Sequence, residues 1–145
     1  MVIKNKKASY EYFLVEEFEA GMILTGTEVK SVRKGSASIN EAYCIFQNGE
    51  LYIRDMHIAE YVQGSYNNHE EKRMRKLLLK KSELKKLHKK VKEKGLSIVP
   101  VRIFFSARGL IKIVISLAKG KKSFDKRETI KRKDLKRDLD RSQAY

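Results

Sequence analysis

A mainly β chain, closed into a small antiparallel barrel with helical insertions and followed by a basic C-terminal tail, is the fold class this sequence predicts. Three observations predict it. Two pairs of short β-branched and aromatic runs each flank a glycine-containing turn, an amphipathic helix separates the two pairs, and the final stretch is too poor in apolar groups to join a core. The 145 residues, 41% of them hydrophobic, suffice for one domain with a core of its own.

Taken in order, Tyr10 to Phe18 is rich in aromatic and β-branched residues and reads as a strand. Gly21 reads as a break, with Met22-Ile23-Leu24 as a second strand beyond it. Val29 and Val32, set among Glu28, Lys30 and Arg33, suit a short amphipathic helix that ends before Gly35. The clearest hairpin follows. Tyr43-Cys44-Ile45-Phe46 and Leu51-Tyr52-Ile53 flank Asn48-Gly49, a dipeptide that tolerates the positive φ angles of a type I′ turn. Further on, Ser82 can cap a helix whose Leu84, Leu87 and Val91 fall at i, i+3 and i+7, with Gly95 as its stop. A second hairpin pairs Ile98–Phe105 with Leu110–Leu117 around Ala107-Arg108-Gly109. Pro100 lacks an N–H, so its strand should be an edge or be bulged there. Among small antiparallel barrels with helical insertions, the oligonucleotide-binding (OB) type is the commonest that handles RNA. The expected division is a barrel over 1–122 and a tail over 123–145.

Charge is distributed unevenly along this pattern. Residues 1–71 carry 7 Lys and Arg against 11 Asp and Glu, whereas residues 72–94 carry 12 against 2 and residues 119–145 carry 11 against 5. Two cationic blocks behind a near-neutral front half are the footprint of a chain that grips a polyanion at two places, with nucleic acid the leading candidate. On the helix over 82–94 the lysines have two readings, a solvated face or a surface beside a polyanion, and their density favours the second. From Glu128 to Arg141 the only aliphatic residues are Ile130, Leu135 and Leu139, too few to offset the entropy of ordering that segment alone. Helix formers abound there and Gly and Pro are absent, so the segment reads as a tail that folds, over about 21 Å of helix, against an anionic partner.

Other classes are disfavoured. No apolar run approaches the roughly 20 residues of a membrane span, and Met1-Val2-Ile3-Lys4 does not begin a secretory leader. Cys44 is alone, which suits a reducing cytoplasm, and with His57, His69 and His88 scattered no zinc-type spacing arises. These four residues are most simply structural, and no cofactor is expected. Asp125, Glu128 and the tail acids form no enclosed carboxylate pair, no serine sits on a strained elbow, and Lys119-Gly120-Lys121-Lys122 lacks the glycine spacing of a phosphate loop. An enzyme is not expected. The alternative is a ribosomal protein or a general RNA-binding OB-fold translation factor. Such factors rely on surface aromatics, and this chain has no Trp and keeps most Tyr and Phe in strand patterns.

Four stretches carry a family resemblance. They are Glu19-Ala20-Gly21 leading to Gly26-Thr27-Glu28-Val29-Lys30-Ser31-Val32-Arg33; Asn68-His69 with Arg73-Met74-Arg75-Lys76-Leu77-Leu78-Leu79; Lys94-Gly95 before Val99-Pro100; and Ala118-Lys119-Gly120-Lys121-Lys122 with Asp125-Lys126-Arg127. Together, collinear over roughly 5–141, they make the chain resemble the small protein B family, the tmRNA-binding (SsrA-binding) proteins of bacterial trans-translation.

The resemblance implies an OB-type barrel that holds the tRNA-like domain of tmRNA at its elbow and enters the vacant A site of a stalled ribosome. It implies a tail that lies helically in the empty mRNA channel, and elongation factor Tu as an indirect partner through alanyl-tmRNA. By matching positions, Glu19, Leu78 and Lys112 correspond to RNA contacts on the barrel. The basic residues of the quoted motifs, Lys30, Arg33, Arg75 and Lys76, join them as candidates. Lys119, Lys121 and Lys122 correspond to basic positions at the barrel–tail junction and count among the RNA-binding candidates as well. Phe124, Asp125, Lys126 and Arg127, followed by Lys131, Arg132 and Lys133, correspond to the part that meets the ribosome. Two positions depart from the family's pattern: Phe124 stands where His is frequent, and Asn68-His69-Glu70-Glu71 replaces a turn ending in Asp-Pro. A phenyl ring can stack on a base but donates no hydrogen bond. Read without the family, Glu19 is a solvated surface residue and Leu78 one of an apolar triplet of core type.

Overall fold

The structure is a computed structural model, and it describes residues 2–62, 68–122 and 126–127. Its elements are β1 (Val2–Lys4), α1 (Ala8–Glu11), β2 (Tyr12–Met22), α2 (Gly26–Arg33), β3 (Ala37–Ser38), β4 (Tyr43–Gln47), β5 (Glu50–Arg54), β6 (His57–Ile58), β7 (Arg75–Leu78), α3 (Lys81–Lys94), β8 (Ser97–Phe105) and β9 (Ile111–Gly120). The main sheet runs β1-β8-β4-β5-β7-β2-β9, and a further pairing of β8 with β9 joins its ends. Six antiparallel strands, β9-β8-β4-β5-β7-β2, therefore pair in a ring, with β1 added along β8, an arrangement consistent with the OB type. Among the described residues no helix is long and apolar enough to cross a membrane.

Turn chemistry sets much of this topology. Asn48 and Gly49 both take positive φ, 52° and 77°, and bring Gln47 opposite Glu50, so β4 and β5 form the two-residue hairpin their sequence predicts. Gly109, at φ 77°, turns β8 into β9. Pro100 has strand partners, and the register slips between Pro100 and Arg102; that bulge accommodates a residue with no N–H to give. Inside the ring, Leu51, Ile53, Leu77, Ile103, Ile113, Ile115 and Leu117 are buried, and Leu87 of α3 joins the same core. Cys44 is buried on β4, and burial pushes its thiol well above the ordinary range, as befits a small core residue.

Three sequence expectations about the elements need correction, and one strand is new. Gly21 does not break the chain: β2 runs unbroken through it, because Gly21 pairs with Leu78 on one side and Lys112 on the other. Tyr10 belongs to the turn α1, so the strand begins at Tyr12. Ser82 does not cap α3. The cap position is Lys80, whose N–H is taken by the Glu83 carboxylate at 3.1 Å, and Ser82 lies inside the first turn. Gly95, at φ 62°, ends the helix as expected. Strand β7 had no counterpart in the sequence pattern, because its inward positions are Arg75 and Leu77 and a charged inward residue hides the alternation.

Candidate nucleic-acid interface

Arg75 faces inward because Glu28 meets it there. Thr25 and Glu28 form a reciprocal capping box at the start of α2, with the Thr25 N–H donating to the Glu28 carboxylate at 2.9 Å. That carboxylate is fully buried. It accepts from Arg75 Nε and, at 2.6 Å, from Arg73. The Arg75 guanidinium also donates to the Met56 carbonyl at 2.6 Å and to the Glu71 carbonyl at 3.1 Å. Burial alone would push the Glu28 carboxyl upward, but hydrogen bonds from Arg73, Thr25 and Arg75 outweigh it and hold the group below its ordinary range. Beside this pair, His69 Nε2 donates to the Ile58 carbonyl at 2.9 Å, which leaves Nδ1 to accept from the Thr27 hydroxyl at 2.8 Å. Asn68 brackets Tyr61, accepting its N–H and donating to its carbonyl. The turn of Asn68 and His69 is thus built from side-chain bonds, with Glu70 and Glu71 supplying carbonyls to Arg75.

This framework decides which residues of β7 face out. Arg75 and Leu77 are wholly buried, whereas Lys76 is half-buried and Leu78 is 50% exposed. Arg75 as an RNA contact is therefore a correction: its guanidinium is sealed between α2 and the barrel and cannot reach a phosphate. The apolar triplet resolves by strand alternation, Leu77 in and Leu78 out.

Leu78, Gly21 and Lys112 sit side by side on three adjacent strands, since Gly21 pairs with both. A Cβ at Gly21 would meet the Leu78 Cβ at 3.4 Å, so glycine leaves the floor of this row open. Glu19, exposed, stands two residues away on the same outer face of β2. Leu78, Gly21 and Lys112, with Arg33, Val29 and Leu110, line a cavity of about 280 Å³. The surface around it is unusually apolar for a basic protein, with Ile23 47%, Leu78 50% and Leu110 56% exposed. An apolar floor with two cations, and a carboxylate two residues along β2, can pack on base faces, meet phosphates and accept base amino protons. Leu110 and Gly21 were not among the sequence candidates. An apolar residue just past the Gly109 turn, where the chain should be polar, was the available signal.

The remaining candidates fall elsewhere. Lys76 faces outward beside Leu78 but lies 3.8 Å from Glu50 on β5. Lys30 points away from the cavity, its ammonium 5.3 Å from the Tyr61 ring, with Lys34 at 4.8 Å from the same ring. Lys119 pairs in register with Phe13 near the other end of the β2–β9 ribbon, seven residues or about 24 Å from Lys112. Lys121 donates to the Ser9 carbonyl at 2.7 Å and covers the exposed Phe13 ring at 4.9 Å, and Lys122 is exposed next to it. Lys126 and Arg127 form a short helical piece, with Lys126 5.8 Å from the Tyr10 ring. Phe124, Asp125, Lys131, Arg132 and Lys133 lie outside the described residues. Glu19, Arg33, Leu78 and Lys112 thus gather at one end of the ribbon and the junction lysines at the other.

Comparison with known proteins gives this arrangement its context. The family model described as SmpB protein matches residues 2–145. An SsrA-binding protein of Phocaeicola vulgatus is 55% identical over 139 residues, 96% of this chain and 93% of its own length. One from Cytophaga hutchinsonii is 56% identical over 139 residues, covering 96% of this chain and 91% of its own. A solved chain described as "tmRNA-SmpB: a journey to the center of the bacterial ribosome" superposes with a TM-score of 0.71 at 44% identity, over 89% of this chain and 94% of its own. A match along the whole chain, at these identities and with this fold, leaves one assignment: the chain belongs to the SmpB protein family.

Proposed function

We propose that this protein binds the tRNA-like domain of tmRNA on the outer face of β2, β7 and β9 and delivers it to the A site of stalled ribosomes for trans-translation. It does so as a binding protein rather than as an enzyme. The names of its relatives support the RNA. The observation that carries the site is the convergence of Leu78 and Lys112 across Gly21, with Arg33 lining the same cavity and Glu19 exposed two residues from Gly21 on β2. Leu78 offers an apolar platform, Lys112 and Arg33 meet phosphates, and Glu19 accepts from base amino groups. The junction residues Lys119, Lys121 and Lys122 extend the RNA-binding set to the other end of the ribbon, and the tail, including Phe124, Asp125, Lys126, Arg127, Lys131, Arg132 and Lys133, serves the ribosome. There the tail senses the empty mRNA channel.

Lys112→Ala should weaken binding of the tRNA-like domain and flatten its salt dependence, since each duplex phosphate contact contributes about 0.9 to the log–log slope. Glu19→Ala should instead cost discrimination, lowering affinity for the intact elbow more than for a scrambled RNA. Fluorescence anisotropy across a salt series reads both. Wild-type slope and affinity for Lys112→Ala would remove that lysine from the RNA face, and equal losses on both RNAs would remove the reading role of Glu19.

A further inference from the structure

The cluster around Glu28 holds one more positive charge than its balance requires. Arg75 alone neutralises the Glu28 carboxylate, and the two are wholly buried against each other. Arg73 brings a second guanidinium to within 2.6 Å of the same carboxylate. That addition has an electrostatic cost. Burial already works against the Arg75 charge, and the neighbouring Arg73 works against it further. The Arg73 Nε is also buried, with no hydrogen-bond partner among the described residues, which is a further cost. Charge balance therefore does not explain Arg73, and its second bond points to a different task.

The nitrogen that meets Glu28, Nη2, also donates to the Ile23 carbonyl at 3.3 Å. Ile23 opens the turn between β2 and α2, and its N–H donates to the Lys76 carbonyl of β7 at 3.0 Å. This one residue is thus stitched to β7 through its N–H and to the approach to β7 through its carbonyl. Just beyond it, Leu24 reaches the cavity that holds Leu78 and Lys112, and Val29 and Arg33 of α2 line the same cavity. The helix has ties of its own, Glu28 to Arg75 and Thr27 to His69 at 2.8 Å. What Arg73 adds is a hold on the turn before it. The floor of the RNA site comes from β7 and one wall from the 23–33 stretch, so a bond from a residue two positions before β7 sets the wall against the floor.

We propose that Arg73 is a positioning residue of the RNA site: it touches no RNA, and it holds the 23–25 turn so that Leu24, Val29 and Arg33 form one wall of the cavity beside Leu78. The proposal rests on the RNA reading of that face, and Lys112→Ala on β9 is the control for that reading. The test uses the full chain. Arg73→Met keeps the aliphatic stem and leaves the neutral Glu28–Arg75 pair in place, so its melting temperature should stay within a few degrees of wild type. Its affinity for the tRNA-like domain should nonetheless fall about fivefold. Arg73→Lys should recover affinity to within about twofold, because a single nitrogen makes both bonds and no bidentate fork is lost. In an Arg33→Ala background the Arg73→Met loss should shrink below about twofold, whereas in a Lys112→Ala background it should persist. Hydrogen–deuterium exchange should be faster over 24–29 in Arg73→Met and unchanged in β8 and β9.

Unchanged exchange over 24–29 would overturn the inference whatever the RNA does. So would wild-type affinity for Arg73→Met beside a weakened Lys112→Ala. A loss that adds fully to that of Arg33→Ala, with a further drop in salt slope, would overturn it by making Arg73 a phosphate contact in its own right. If Arg73→Met and Lys112→Ala are both silent, the RNA face lies elsewhere and the positioning role falls with it.

Discussion

Replacing Glu28 by Gln should destabilise the folded protein by about 3–5 kcal/mol, the largest stability loss expected for a single polar substitution here. Glu28 is fully buried and meets both Arg73 and Arg75, and Arg75 is equally buried. Removing the carboxylate's charge leaves the Arg75 guanidinium without its compensating partner in a place water cannot reach, and that uncompensated charge sets the cost. Chemical denaturation should report the loss directly, and the melting temperature should fall on the order of 10 °C. A midpoint within experimental scatter of wild type would mean that the pair is not buried in solution. Replacing both partners, Glu28→Leu with Arg75→Met, should cost much less than the two single changes combined, because no charge is stranded. The pH dependence follows in sign. The folded-state pKa of Glu28 is depressed, so the stabilisation is present above its unfolded value of about 4.3 and fades as pH falls through the lower folded value. In Glu28→Gln that part of the acid limb should vanish.

The same pair marks the limit of what the sequence could tell. Local signals were legible: Asn48-Gly49 fixed a hairpin, Gly95 stopped a helix, and Pro100 announced a bulge, each through chemistry confined to a few residues. Leu84, Leu87 and Val91 identified the buried stripe of α3 for the same reason. Strand β7 was not legible, because whether Arg75 points in or out is decided by Glu28, 47 residues away. Once Arg75 is placed inside, Leu78 must point outside, and the exposed leucine that the apolar triplet concealed comes into view. Gly21 misled for a related reason. A glycine between two apolar runs resembles a break, yet here it spares its neighbours Leu78 and Lys112 a side chain between them.

Deleting residues 128–145 should separate the two proposed tasks of the molecule. Among the described residues the core is assembled from β2, β4, β5, β7, β8, β9 and α3, together with Val32 of α2, Ile39, Ala42, Met56 and Ile58, and none of these lies beyond Gly120. Apart from Ala144, the deleted segment's only aliphatic residues are Ile130, Leu135 and Leu139, so its loss should change thermal stability little. Its Glu128/Arg132 and Lys136/Asp140 pairs have i,i+4 spacing and are worth only tenths of a kcal/mol each, so the isolated tail should show little helix by circular dichroism. The truncated protein should bind the tRNA-like domain within about twofold of wild type and still bring it to ribosomes, while tagging of stalled peptides is lost. Loss of tRNA-like-domain binding in parallel with tagging would merge the two tasks into one.

The claim that everything else depends on is that the exposed row of Leu78, Gly21 and Lys112 is where RNA sits. Leu78→Asp tests it most directly, since it changes that surface alone and places a negative charge where a base would pack. Its side chain is half-exposed and reaches no core position, so the melting temperature should match wild type within a few degrees. Leu77→Asp, one residue away and fully buried, should unfold the protein and serves as the internal contrast. Affinity of the folded Leu78→Asp protein for the tRNA-like domain, measured by gel shift at fixed salt, should fall by about tenfold or more. A folded Leu78→Asp protein that binds with wild-type affinity would contradict the account.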